Sequence, residues 1–262
     1  MKNYVQYIDK LYEDITLDLQ NKKASIDYKK NVSGISTRMG KDKNFTPFKT
    51  SGKMFGNDVI ISGYSSKLLD DVNIQPKGLR VIIYNLIKGK TSEFNLSNEE
   101  IDHLVKRTII YLNRYFNKNN LSFDVILLPK SSSNLNKKMA EEFRKRFPYD
   151  VTLYSDEITK SSPKDLQIVG NPPEQIRKSL EKIIDKWKQL GKFEIKKLPP
   201  SWRQFVSNLS KIEDNVFKKV DGKNVLIIDD VLTSGTTIAD IIKQIRSKSN
   251  PNIIYGVTLF KN

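Results

Sequence analysis

The stretch Asn224-Val-Leu-Ile-Ile-Asp-Asp-Val-Leu-Thr-Ser-Gly-Thr-Thr-Ile238 decides how the rest of the chain is read. An apolar run over 225–228 meets two adjacent carboxylates, Asp229 and Asp230. A turn of hydroxyl residues around Gly235 follows, and then an apolar period at Ile238, Ile241, Ile242 and Ile245. A short β-branched run without polar alternation predicts a strand buried on both faces, and the later period predicts a helix. The two acids then fall at the carboxyl end of a strand, where open α/β sheets hold their ligands. Thr233, Ser234, Gly235, Thr236 and Thr237 lead into the helix start, whose unpaired N–H groups and positive dipole end suit a phosphate. Gly235 lets the backbone approach the anion closely, and the hydroxyls add donors. One turn can thus hold a phosphate while the carboxylates face sugar hydroxyls or a hydrated Mg2+. An ordinary strand–turn–helix accounts for one acid and one capping threonine, but not for the whole ordered set. The loop is not a Walker A loop, because no Gly-Lys-Ser/Thr follows.

Working outward, Ile253 opens a last strand over 253–260, and a capping box at Ser97-Asn-Glu-Glu100 opens a helix. That helix carries an apolar stripe at Ile101, Leu104, Val105, Thr108, Ile109, Leu112, Tyr115 and Phe116. His103 falls off the stripe and is read as a surface residue. Buried strands are predicted over 123–128 and 151–154, with a helix over 134–147 between them. Pro129, Lys130, Ser131 and Ser132 end the first of these strands, and a solvated lysine in a plain proline turn is the bland account of them. A helix is predicted over 174–190, inside a long polar segment marked by Pro163, Pro172, Pro173, Pro199 and Pro200. Strands over 59–62 and 79–84 could pair across the turn near Pro76 and Gly78. A short amphipathic helix is predicted over 4–20, and 21–57 reads as polar loops with at most a short hairpin, or as a partly disordered stretch. The expected division is an irregular N-terminal region, 1–57, and an α/β domain, 58–262, with a mainly parallel sheet flanked by helices.

The chain has 262 residues, 38% hydrophobic and 29% charged, enough apolar content for a core. No apolar run approaches the ~20 residues that span a bilayer, and the N-terminus lacks the apolar core of a signal peptide. There is no cysteine and one histidine, which excludes disulfides and thiolate metal sites and argues against a histidine zinc site. The cytoplasm is the default compartment, with no membrane partner. The net charge of +15, from 45 Lys+Arg against 30 Asp+Glu, attracts polyanions and phosphorylated small molecules alike. The lysines are scattered rather than gathered in a tract, so weak nucleic-acid binding is the most that the charge implies.

Residues 229–237 resemble the loop with which type I phosphoribosyltransferases bind 5-phosphoribosyl 1-pyrophosphate (PRPP): two acids, three variable positions, a hydroxyl residue, Gly, a hydroxyl residue and Thr. The resemblance implies the type I phosphoribosyltransferase-like fold. It also implies pentosyl transfer, in which a nitrogen nucleophile displaces pyrophosphate from Mg-bound PRPP. Asp229 and Asp230 would take the ribose hydroxyls and set the hydrated Mg2+, and 233–237 would cradle the 5-phosphate. The family's pyrophosphate loop follows its first core strand, where Lys130, Ser131 and Ser132 stand here. Purine-salvage members that use 6-oxopurines carry an acid where Thr233 stands, and a threonine cannot move a proton near neutral pH. The acceptor implied is therefore not a 6-oxopurine.

The segments 81–89, 123–129, 202–210, 215–217 and 222–225 further resemble the ComF-like branch of the family. Against that branch, the chain lacks a cysteine zinc ribbon, and Asn134-Leu-Asn-Lys-Lys138 replaces an Arg-Gly-Phe-Asn helix start. The long span between the two loops implies an enlarged mobile lid around 155–215, for which Lys160, Lys164 or Arg203 could supply charge. Residues 1–57 would contribute to the base-binding hood or to an oligomer contact such as a homodimer. The alternative function is a PRPP- or nucleotide-sensing or nucleic-acid-binding protein on the same fold, since fold does not fix function.

Overall fold

Val125, Ile126, Leu127 and Leu128 are all buried, which a strand achieves only when both faces of its sheet are covered. The computed structural model describes residues 15–18, 23–26, 59–65, 97–131, 134–147, 151–232 and 235–261. In it these four residues lie in β4 (Val125–Pro129), an inner strand of a six-stranded sheet. From edge to edge the sheet reads β3 (Val59–Ser65), β10 (Ile253–Lys261), β9 (Asn224–Leu232), β4, β5 (Thr152–Lys160) and β8 (Ser210–Ile212). Neighbours are parallel except the edge pair β5 and β8.

Strand alternation divides the core into two layers. Ile126, Leu128, Leu226, Ile228, Tyr255 and Val257 share a cluster with α1 (Asn98–Lys118) and α2 (Leu135–Arg146). Val125, Leu127, Val225, Ile227 and Ile254 pack instead with α5 (Asp214–Val220) and α6 (Thr236–Lys248). The stripe of α1 is buried at Val105, Thr108, Ile109, Leu112 and Phe116, and His103 is exposed. Phe116 meets Phe123, Phe147 and Tyr255 edge-on, at centroid distances of 5.6, 5.8 and 5.2 Å. The edge-to-face arrangement is the one ring quadrupoles favour. It pins α1 and α2 to each other and to the sheet.

Three expectations change. Residues 15–18 form a strand, β1 (Ile15–Asp18), paired antiparallel with β2 (Lys23–Ile26), rather than the end of a helix over 4–20. Ile15-Thr-Leu-Asp18 alternates apolar and polar, and that period of two prevails locally. Residues 4–14 lie outside the described residues, as do 79–84, the expected partner of β3; β3 pairs with β10. Second, β5 runs to Lys160, well past 154, because Ile158 is buried and pairs with Ile212 of the edge strand β8.

Third, residues 161–209, within the span expected as an enlarged mobile lid, form regular elements around a core of their own. Between β5 and β8 the chain builds a 3-10 turn (Pro163–Asp165), β6 (Gln167–Ile168), α3 (Glu174–Leu190), a second 3-10 turn (Ile195–Lys197), α4 (Pro200–Arg203) and β7 (Val206–Ser207). These elements enclose their own cluster of Leu166, Leu180, Ile184, Trp187, Phe193, Leu198, Val206 and Leu209. The spacing of Leu180, Ile184 and Trp187 gives α3 one apolar face, and the remaining residues close over it.

Candidate functional site

β4 and β9 are parallel neighbours, with Leu127 opposite Ile227 at the last rung of their ladder. Pro129 and Asp229 each stand two residues further on, so the turns after both strands open on the same edge of the sheet. The helices that follow leave on opposite faces, α2 into one core layer and α6 into the other. This is a topological switch point, where open α/β sheets form a crevice outside the strand ends.

β9 does not stop at Ile228. It continues to Leu232, and Asp229 still pairs in register with Thr258 of β10. Both acids therefore sit on a regular strand, and alternation sends them to opposite faces. Asp229 shares the parity of Val225 and Ile227, toward α6, and is half-buried. Asp230 shares that of Leu226 and Ile228, toward α2, and is 4% exposed. An oxygen of Asp229 accepts the Asp230 N–H at 2.9 Å, which orients the first carboxylate.

Gly235 caps α6 in the left-handed region, at φ 69, and its carbonyl accepts the Ala239 N–H at 2.8 Å. A residue with a Cβ pays about 1–2 kcal/mol for that backbone, so the glycine is needed there. Thr236 and Thr237 form the first turn of α6 and are half-buried; Thr233 and Ser234 lie outside the described residues.

On the other turn, Lys130 is exposed, and its N–H is held by the carbonyl of Ile158 at 2.7 Å, fixing the backbone where it leaves β4. Ser131 is half-buried, and Ser132 lies outside the described residues. α2 begins at Leu135 with no side-chain cap and no acid in its first turn, so none of its own first-turn residues offsets the positive end of its dipole.

Two carboxylates on opposite faces do not make a metal cage. Among the described residues no three His, Cys, Asp or Glu side chains gather to hold a metal. The hard oxygen donors nonetheless fit Mg2+, which keeps several waters and takes most of its other ligands from phosphates.

Asp240, buried at 5% exposure on the second turn of α6, received no role from its sequence position. It accepts the Ser210 N–H at 3.0 Å and the Gln244 side-chain amide at 2.8 Å; Gln244 also donates to the Ser210 carbonyl at 2.8 Å. The network ties the helix of the phosphate turn to β8. Burial pushes the Asp240 carboxyl above its ordinary range, opposed by the N–H groups of Ser210, Asn208 and Leu209 and by Gln244. The signal lay in the spacing: an acid and an amide at i and i+4 beside an apolar stripe. Of the cations considered for a lid, Lys160 has its ammonium on the Phe193 carbonyl and 4.3 Å from that ring's centroid. Burial lowers its pKa, against the pull of Glu194. Lys164 is exposed, and the Arg203 guanidinium donates to the Leu198 carbonyl at 3.0 Å.

A hypothetical protein from Neisseria gonorrhoeae, solved with bound ppGpp, is similar at 14% identity, over 62% of this chain and 68% of that one, with a TM-score of 0.34. A hypoxanthine phosphoribosyltransferase from Staphylococcus aureus is 16% identical over 69% of this chain and 71% of that one, with a TM-score of 0.36. The transcriptional regulator GfcR of Methanococcus vannielii is 45% identical over 41 residues. That match covers 16% of this chain and only 20% of the regulator's length. Residues 96–262, well over half of the chain, match the model of the phosphoribosyl transferase domain, and the chain belongs to that family.

Proposed function

We propose that the protein is a Mg2+-dependent phosphoribosyltransferase that displaces pyrophosphate from PRPP with a nitrogen nucleophile other than a 6-oxopurine. One observation carries this reading: two anion-suited turns leave the carboxyl ends of the adjacent parallel strands β4 and β9. A ligand with a phosphate at one end and a pyrophosphate at the other matches that pair of turns. The turn 233–237 takes the 5-phosphate through the α6 N-terminus and its hydroxyls. Asp229 and Asp230 bind the ribose hydroxyls and stabilise positive charge developing on the ring. Lys130, Ser131 and Ser132 hold the departing pyrophosphate. Mg2+, when bound, offsets the charge of that leaving group. Within the family we place the chain near the ComF-like branch, and in the cytoplasm; no helix among the described residues is long and apolar enough to cross a membrane.

The test is pyrophosphate release from Mg–PRPP with pooled nucleobases and small amines as acceptors. Release should require an acceptor, and it should fall at least a hundredfold in the Asp229→Asn/Asp230→Asn double variant, the scale of losing preorganised charge in a site. Release indifferent to both aspartates argues against the assignment.

A second reading, a PRPP- or nucleotide-responsive regulator, draws on the 41-residue similarity to a transcriptional regulator and on the +15 charge. It expects nucleic-acid affinity that falls steeply with salt and survives the double substitution.

A further inference from the structure

Asn136 is the second residue of α2, directly after the turn that leaves β4. It is 3% exposed, and among the described residues neither its Oδ1 nor its Nδ2 has a hydrogen-bond partner. Its neighbours on the same buried stripe, Met139 and Ala140, are fully buried. A buried amide without partners costs roughly 1–3 kcal/mol, and such strain concentrates where a ligand relieves it. Side chains on a helix lean toward its N-terminus, and a residue in the first turn therefore covers the loop that precedes the helix. Asn136 thus stands in the first turn of α2, following the turn of Lys130 and Ser131, at a helix start with no side-chain cap and no acid in its first turn. Asp230, buried on the neighbouring strand β9, shares the parity of Leu226 and Ile228 and so falls on the α2 face of the sheet.

We infer that Asn136 is a further residue of the pyrophosphate subsite. Its Nδ2 donates to an oxyanion of the leaving group, and its Oδ1 accepts from a water in the hydration shell of the accompanying cation. An amide suits that pair better than a lysine, which only donates, or an acid, which only accepts and repels the anion. The inference rests on the transferase reading of the same site and adds to it a residue that neither the loop pattern nor the charge pattern contains.

The substitution Asn136→Leu keeps the branched shape and removes the unpaired amide. Thermal unfolding of the full chain should show the variant at least as stable as wild type without ligand. Inorganic pyrophosphate with Mg2+ should bind it about tenfold more weakly, while ribose 5-phosphate, which probes the β9 turn, binds as before. A merely structural role would move both affinities together or neither. If the leucine variant does not fold, Asn136→Ala carries the same comparison of the two probes. Pyrophosphate binding unchanged in the variant overturns the inference and leaves the transferase reading standing. A wild type that binds ribose 5-phosphate but not pyrophosphate overturns the subsite and this inference with it.

Discussion

The carboxylate of Asp240 takes the Ser210 N–H and the Gln244 amide in a place that water scarcely reaches. Desolvation outweighs those hydrogen bonds, and its folded pKa lies above the ordinary value near 3.8. The folded state therefore holds this proton longer than the unfolded state does. The stability it contributes is fully present below pH 3.8 and is lost as pH rises through the folded pKa. Asp240→Asn cannot titrate, so the stability of wild type should fall relative to the variant as pH rises above the ordinary carboxyl value of 3.8. Urea unfolding at several pH values and fixed ionic strength reads the difference, and parallel curves would count against it. Asp240→Ala should cost about 2 kcal/mol at about pH 4 and less as pH rises, because it strands the Ser210 N–H and the Gln244 amide. At this scale, the sequence showed chemistry where several residue types met in order, as over 229–237. It showed Asp240 only as an acid four residues before an amide and held no signal for Asn136, since the weight of both comes from burial.

Among the elements, α6 and α3 make a controlled pair. Gly235 starts α6 at φ 69, and Gly191 ends α3 at φ 65 with nothing within 4 Å of an added Cβ. Gly235→Ala and Gly191→Ala should each lose about 1–2 kcal/mol from the left-handed backbone. At ~2–4 °C per kcal/mol for a chain of this order, thermal unfolding resolves both. Only Gly235→Ala should also weaken ribose 5-phosphate binding, since the other glycine closes a helix far along the chain from either turn. Equal loss of affinity in the two variants would remove the phosphate turn from its assigned place. Helices were legible because an apolar stripe repeats over several turns: α3 runs over 174–190, as its pattern predicted. Strand ends were not, because pairing rather than composition extends them. β9 carries its acids onward through the register with β10, and β5 is prolonged by an edge strand that only the folded chain brings beside it.

For the molecule as a whole, the folded insert between β5 and β8 raises the question of what it supports. Its cluster shares no residue with either layer of the sheet. Its two ends meet, since Lys160 pairs with Ser210 and the Ser161 N–H donates to the Leu209 carbonyl at 3.1 Å. Such an antiparallel pair can be closed by a two-residue Asn-Gly turn. A chain in which that dipeptide replaces 162–208 should unfold in one cooperative transition, because both sheet layers keep their cores. It should bind ribose 5-phosphate and pyrophosphate nearly as wild type does, because the turns after β4 and β9 lie outside the excised span. Acceptor-dependent turnover is where the loss should fall, since the insert rises from the same carboxyl edge on which both turns open and can cover the base. Calorimetry and the two-probe titration decide between this and the contrary case. A shortened chain that fails to fold would make the insert a brace for the edge strand β8, clamped to α6 through Asp240, instead of a cover for the site.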